Sequence, residues 1–500
     1  MKIVIVGGGT AGWSTAASFK KHTNYSDITL IESSKIGIIG AGEGSTGTLP
    51  WFIKEPWPDG SITEMDFLKK TKGTLKLGIK LKNWKGDGGY IYSPFHGSPT
   101  ETKSVDSALF GSILKYGRAD YSSLHSWLMD YGVTNFRYEF SGKPTAAAPN
   151  YSYHFDGHEV GKYFKDWSTK RGINWIDSEV IDTNFGEDGY LKSIKLSNGA
   201  VIEGDLWLDC SGFSRVLMSK TDNKWISYKN HLPTNSAIPF NLPISSKNVN
   251  FYTLAEAMDS GWMWQIPLQN RYGSGYVYCD EFQSYDESVT ELEKKLKTKI
   301  EPIKHIKFEP GRYENTFHKN IVAIGLSSHF LEPLQATAIH ISFISAANLM
   351  FHFLKGEDVS MLKNEADKKS YNKFVGYMID DYKDFIQMHY LAGRNDTPFW
   401  KFITNELEIS DRNQQLIDIS KHRAITVFDI NQSHGTPGYP LWVHILDNSG
   451  LFNKDIIEKE LHHYNKYDEA FDMIRKLKIH GDKAKSEFIS NEEFFKYLKI

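Results

Sequence analysis

The sequence predicts an α/β fold: a largely parallel sheet covered by helices, a second β-sheet added to it, and a helical C-terminal cap. Three observations carry this expectation. The chain opens on an apolar run, Ile3-Val4-Ile5-Val6, which turns through Gly7-Gly8-Gly9-Thr10-Ala11-Gly12 into a helix from Ser14 to Lys21. A second apolar strand, Ile28-Thr29-Leu30-Ile31, ends at Glu32. From about Glu357 to Ile500 the pattern is helical, rich in aromatic and charged residues.

The first strand is apolar on both faces, as a parallel strand covered on each side must be. The turn after it fits G-x-G-x-x-G on Gly7, Gly9 and Gly12. Gly7 permits the tight turn, Gly9 lets backbone approach a pyrophosphate, and Gly12 lets helix and strand pack closely. The pyrophosphate is expected on the exposed N–H groups and the positive dipole end of that helix. Glu32, twenty residues beyond Gly12, stands where a carboxylate accepts from a ribose hydroxyl. The strand–loop–helix–strand–Glu series marks a dinucleotide site.

Composition narrows the class. Apolar residues make up 40% and charged residues 24%, so there is material for a large core. A net charge of −3 argues against a nucleic-acid or anionic-membrane surface. Two cysteines, Cys210 and Cys279, give no disulfide framework and fit a reducing, cytoplasmic setting. The chain begins in a strand without a leader pattern, and no apolar stretch reads as a membrane span. No His/Cys ligand spacing points to a metal.

Farther along, the loop from Ile36 to Pro50 is dense in glycine: Gly40, Gly42, Gly44 and Gly47. With Glu43 among them, it can lie close against a flat ligand. Leu75 to Trp84 alternates like one half-buried strand, with Lys76, Lys80 and Lys82 on one face. Tyr90 to Phe95 is an aromatic strand ended by Pro94, and Pro144 to Pro149 reads as a loop. Tyr190 to Glu203 forms a hairpin about Asn198-Gly199. The buried strand Leu206 to Asp209 then follows, as in many flavoproteins that complete a sheet around adenosine. Trp262 and Trp264 share one side of a strand. Asn320 to Gly325 is a buried strand, continued by Leu326 and a loop to Ala338, then a long apolar helix to Leu354.

Together these stretches resemble the flavin-dependent tryptophan halogenases. The resemblance rests on GGGTAGW at Gly7–Trp13, GAGE at Gly40–Glu43, Lys80 in IKLKNW, WMWQIP at Trp262–Pro267, GSGYVY at Gly273–Tyr278 and the Gly325–Thr337 loop. It implies an FAD-binding Rossmann-like domain of the hydroxylase and glutathione-reductase type. A halogenation core over 1–356 and a helical substrate-binding region over 357–500 would follow. FAD would arrive as FADH2 from a separate flavin reductase. It would lie against Gly7, Gly9, Thr10, Ala11, Gly12, Glu32, Gly40, Gly42, Glu43, Gly325 and Leu326. A halide near Thr337 and Ala338 would yield hypohalous acid, which passes to Lys80 and on to a small electron-rich aromatic. Ser93, Phe95, Trp400 and Trp442 would hold that substrate, and Trp262 and Trp264 would keep it from the flavin. A homo-oligomer stays open. The Lys, Asn and Ile usage looks most like viral members of the family.

Three departures from the family pattern qualify this. Gln335 stands where the family has a glutamate beside the lysine, and an amide cannot take the ring proton. That leaves water, Glu332 or a histidine as acceptor. Ala338 replaces a glycine of the halide loop, and Ser93 replaces a histidine of the substrate strand. Phenols and indoles, with bromide or iodide ahead of chloride, are therefore the expected reactants. The alternatives are a single-component FAD-dependent aromatic hydroxylase and a non-catalytic flavin-binding sensor.

Overall fold

A computed structural model describes residues 1–37, 40, 42–95, 106–431 and 435–499. Residues 38, 39 and 41 of the glycine-rich loop lie outside them.

The first sheet runs in the order Asn174–Asp177, Ile28–Glu32, Ile3–Val6, Leu206–Asp209, Ile321–Ala323 and Phe317–His318. All pairings are parallel except the last, an antiparallel edge. Ile3, Ile5, Leu30 and Leu208 are inaccessible to solvent, as expected of strands covered on both faces. The expected hairpin forms from Leu191–Leu196 and Val201–Glu203. The Pro144 to Pro149 stretch differs from expectation, since Pro144–Ala146 pairs with Phe136–Tyr138 as a short ribbon.

The second sheet runs Ile306–Lys307, Ser236–Leu242, Tyr272–Tyr278, Gly261–Pro267, Thr253–Ala257, Gly78–Lys82, Tyr90–Pro94. At least one small residue opposes each of its two tryptophans. Trp262 pairs with Ala257, and Trp264 lies between Ala255 and Gly275. A Cβ on Gly275 would come within 2.1 Å of the Trp264 ring, so glycine there makes room for the indole.

Leu75 to Trp84 is not one strand. Thr74–Lys76 pairs with Ser152–Phe155 in a small separate sheet, and Gly78–Lys82 joins the second sheet. The break falls at Leu77 and Gly78. A Cβ on Gly78 would come within 2.7 Å of Pro94 Cα and of the Ser93 carbonyl, so only glycine lets the two strands approach there. Lys76 and Lys80 consequently do not share a face.

The C-terminal part is helical, with Glu365–Tyr390 as its longest helix. One apolar core runs from Ile3 through Phe385 to Leu498, so both parts of the chain share it. The helical run Leu334–Phe353 is long and apolar enough to cross a membrane, which the sequence reading missed. It is mostly buried against the rest of the fold, the position of a core helix.

Candidate functional site

Two large cavities and a narrow one between them make up the site. The first, about 590 Å³, lies at the C-terminal ends of the parallel strands, where such sheets bind dinucleotides. Gly7, Gly9, Thr10, Ala11, Glu32, Glu43, Gly325 and Leu326 all line it. Gly7 has φ +114°, and a Cβ there would meet the Cys210 carbonyl at 2.3 Å. Gly12 packs behind, where a Cβ would lie 1.9 Å from the Gly7 carbonyl. Gly9 caps the helix Thr10–His22, and a Cβ there would meet nothing within 4 Å. The backbone thus offers open space at the positive end of a helix, which suits a pyrophosphate. Glu32 accepts from Trp13 Nε1 at 3.1 Å and pairs with Lys165 at 2.8 Å. A carboxylate offers about four lone-pair sites, so a ribose hydroxyl can still be accepted. These residues fit FAD. Gly42 instead lines the narrow cavity, and Gly40 lines neither; its described neighbour is His158.

The second cavity, about 740 Å³, lies between the second sheet and the helices. Ser93 and Phe95, the two strand residues expected at the substrate, line it. Trp400 and Trp442 do not. Both are fully buried in the core. Trp400 donates to the Met258 carbonyl at 2.8 Å and packs on Trp84 and Tyr390. Trp442 packs on Phe385. Their large apolar area is used up in packing, so they are corrected from substrate contacts to core.

A passage of about 170 Å³ joins the two. It shares Glu43, Phe213, Leu326, Ala338 and Ile339 with the flavin-side cavity, and Lys76, Ile79 and Gln335 with the other. Trp262, Trp264, Glu332, Thr337 and Ala338 line it. The two tryptophans therefore stand in the wall of the narrow cavity that borders both large ones.

Among the described residues, Lys76 is the only lysine in the passage wall. It is buried, and Nζ donates to the Ser45 carbonyl at 3.1 Å and lies 5.7 Å from the Phe95 ring centroid. A Cβ on Gly44 would come within 3.2 Å of Nζ and 3.6 Å of Ala336 Cβ, so amine and loop face each other across that glycine. Burial without a counter-charge pushes the ammonium down to about 7. Lys80 lines neither cavity. Its ammonium sits 3.7 Å above the Tyr90 ring, in a cluster with Arg118 and Asp130 on the far side of the sheet. Lys80 is thus a lysine over an aromatic surface, and Lys76 is the residue that the sequence reading passed over. Gly78 inside the strand pattern is the signal that could have separated them.

Gln335 and Ala336 both adopt left-handed backbone, φ 64° and 57°, immediately before the helix Thr337–Asn348. Such strain in non-glycine residues clusters at functional loops. The Gln335 amide donates to His389 Nε2 at 2.8 Å and to Ser93 Oγ at 3.4 Å. Glu332 is buried and accepts from Thr234 at 2.6 Å, Tyr390 at 2.8 Å and Trp262 Nε1 at 3.1 Å. Desolvation raises its carboxyl to about 7, against the pull of those donors. Glu43, half-buried between two cavities, is likewise raised to about 7 by desolvation and by the Asp156 charge. Because all three partners donate to Glu332, Glu332→Gln turns an NH2 towards donors. The variant is expected to unfold about 1–3 kcal/mol more easily in urea. Unchanged stability would mean that the three donors find other partners.

The tryptophan halogenase family model matches residues 2–454. The tryptophan 7-halogenase RebH of Lentzea aerocolonigenes is 32% identical over 445 residues, 84% of this chain and 81% of that protein. The tryptophan 6-halogenase SttH of Streptomyces toxytricini is 30% identical over 428 residues, 80% of each chain. Among solved structures, Tar14, a tryptophan C-6 flavin-dependent halogenase from taromycin biosynthesis, superposes with a TM-score of 0.88 at 28% identity, covering 100% of both chains. Xcc4156, a flavin-dependent halogenase from Xanthomonas campestris, gives 0.86 at 26% identity, covering 99% of this chain and 98% of that one. Nothing among these relatives supports the viral affinity suggested by residue usage. The hydroxylase and sensor alternatives give way to an FAD-dependent enzyme that uses FADH2 from a separate reductase and a halide. The chain belongs to the tryptophan halogenase family.

Proposed function

We propose that Lys76, rather than Lys80, carries the halogen from the flavin-side cavity to an electron-rich ring in the 740 Å³ cavity. The observation behind this reading is that a buried amine, pushed down to about 7, lines the passage and both of its ends meet the expected partners. Bound FADH2, with oxygen and a halide, supplies hypohalous acid. Thr337 and Ala338 stand in the first turn of a helix, whose dipole favours a halide beside them. Trp262 and Trp264 keep large molecules out of the passage. As a neutral amine, Lys76 forms an N–X bond with hypohalous acid and releases water. Ring attack then forms C–X, breaks N–X and returns the amine as the ring proton leaves. As an ammonium, Lys76 instead donates to the hypohalous oxygen while the ring takes the halogen.

A neutral phenol or indole suits the large cavity better than a free amino acid. Phe52, Phe95, Phe343 and Phe351 offer ring faces, and among the described lining residues there is no carboxylate to pair with an ammonium. Bromide and iodide should outrun chloride, because they shed water and are oxidised more easily. The test supplies reduced FAD, oxygen, equal chloride and bromide, and a phenol and indole panel, with products read by mass spectrometry. Brominated rings are expected, and none with NADPH alone. Dominant chlorination would dispose of the halide order. The absence of any halogenated ring would dispose of the reading itself.

A further inference from the structure

The amide of Gln335 has one orientation available to it. His389 Nδ1 lies 2.8 Å from the Phe385 carbonyl, which can only accept, so the ring proton is on Nδ1. Nε2 is then a bare lone pair. Its partner at 2.8 Å must be the Gln335 NH2 and not the carbonyl. The second amide hydrogen goes to Ser93 Oγ. Burial drives His389 down to about 4, so it stays neutral at working pH and the arrangement does not switch. Both N–H groups are spent within the protein, while Oε1 has no hydrogen-bond partner among the described residues. Gln335 borders both the passage and the large cavity, as Lys76 does.

We infer that Gln335 Oε1, held by His389 and Ser93, is a hydrogen-bond acceptor for the substrate, and that the site selects rings bearing an O–H or N–H donor. This rests on the reading of the large cavity as the substrate site. A carbonyl accepting from a phenol or indole draws that proton away from the ring heteroatom. The heteroatom then releases more electron density into the ring as the C–X bond forms, which lowers the barrier where positive charge develops. A ring without a donor that fills the cavity cuts this acceptor off from water and leaves it unpaired, and sites built this way reject the analogue lacking the donor. His389 acts here as a positioning residue.

Phenol against anisole, and indole against 1-methylindole, test this with the full protein, reduced FAD, oxygen and bromide. The donor-bearing member of each pair is expected to have a kcat/KM roughly tenfold or more above its methylated partner. Gln335→Met, which keeps length and loses the acceptor, should bring the ratio to within about threefold by slowing only the donor substrate. His389→Leu frees the amide to rotate and should lower the ratio part of the way. Flavin binding, followed by fluorescence, should be unchanged in both and so report correct folding. A wild-type ratio near one, or a ratio that survives Gln335→Met, overturns the inference. If neither variant folds, the wild-type indole pair decides it alone, because N-methylation leaves that ring's own reactivity nearly unchanged. Donor-blind but Lys76-dependent halogenation would remove this inference and leave the proposed function standing. Loss of Lys76 dependence would remove the proposed function instead.

Discussion

Lys76→Met is expected to lower ring halogenation by ~10²-fold or more for every substrate, while Lys80→Met keeps most of the wild-type rate. Oxidation of bound reduced flavin by oxygen should proceed in both. The argument is one of place. Lys76 lines the passage and the large cavity, whereas Lys80 lies over Tyr90 in neither. A second readout follows from the buried amine. Its folded pKa is lowered to about 7 from an ordinary 10.5. Between those values the unfolded chain binds a proton that the folded chain does not, so this group's contribution to stability rises with pH across that window. Near pH 7 the burial costs on the order of 4 kcal/mol, which methionine removes. Lys76→Met should therefore be more stable than wild type in urea at pH 7, with the gain shrinking towards pH 10. Glu43 and Glu332 also titrate near 7, but they are common to both proteins. An active Lys76→Met enzyme would return the halogen carrier to another group. A variant less stable at pH 7 would mean that the Ser45 contact outweighs desolvation.

Gly9→Val should lose FAD binding by about 10²-fold, or ~2.7 kcal/mol, with little change in melting temperature. A Cβ at Gly9 meets no protein atom within 4 Å, and the backbone there, φ −73° and ψ −172°, is open to any residue. The fold has no reason to object. The space that valine takes is the space beside the helix amides into which a pyrophosphate must come. Gly12→Val makes the contrast. Its Cβ would lie 1.9 Å from the Gly7 carbonyl, so both flavin affinity and melting temperature should fall. Fluorescence titration with FAD and thermal melts separate the two. If Gly9→Val binds like wild type, the pyrophosphate lies elsewhere in the cavity.

What was legible in the sequence follows range of interaction. The glycine turn, the strand ending at Glu32, the Trp262–Trp264 pair and the hairpin at Asn198-Gly199 are each set by a few consecutive residues. All appear where expected. The substrate tryptophans failed because an indole at 400 or 442 reads the same whether it faces a cavity or the core. Packing alone sends both inward. Gly40 lines neither the flavin-side cavity nor the passage, and glycine density does not say which glycine faces a cavity.

The sequence by itself determined the dinucleotide half of this protein, because strand period, glycine geometry and a terminal carboxylate are local requirements of one turn. Only the tertiary structure decided which lysine lines the passage. Lys76 and Lys80 sit in one alternating run, and a period of two assigns them the same face. The close approach of Gly78 to Pro94 breaks that run, and partners far along the chain take its two pieces into different sheets. The orientation of Gln335 was settled in the same way, by His389 and Ser93, 54 and 242 residues distant. A hydrogen-bond direction depends on which partners the fold brings within reach, and no local pattern carries that information.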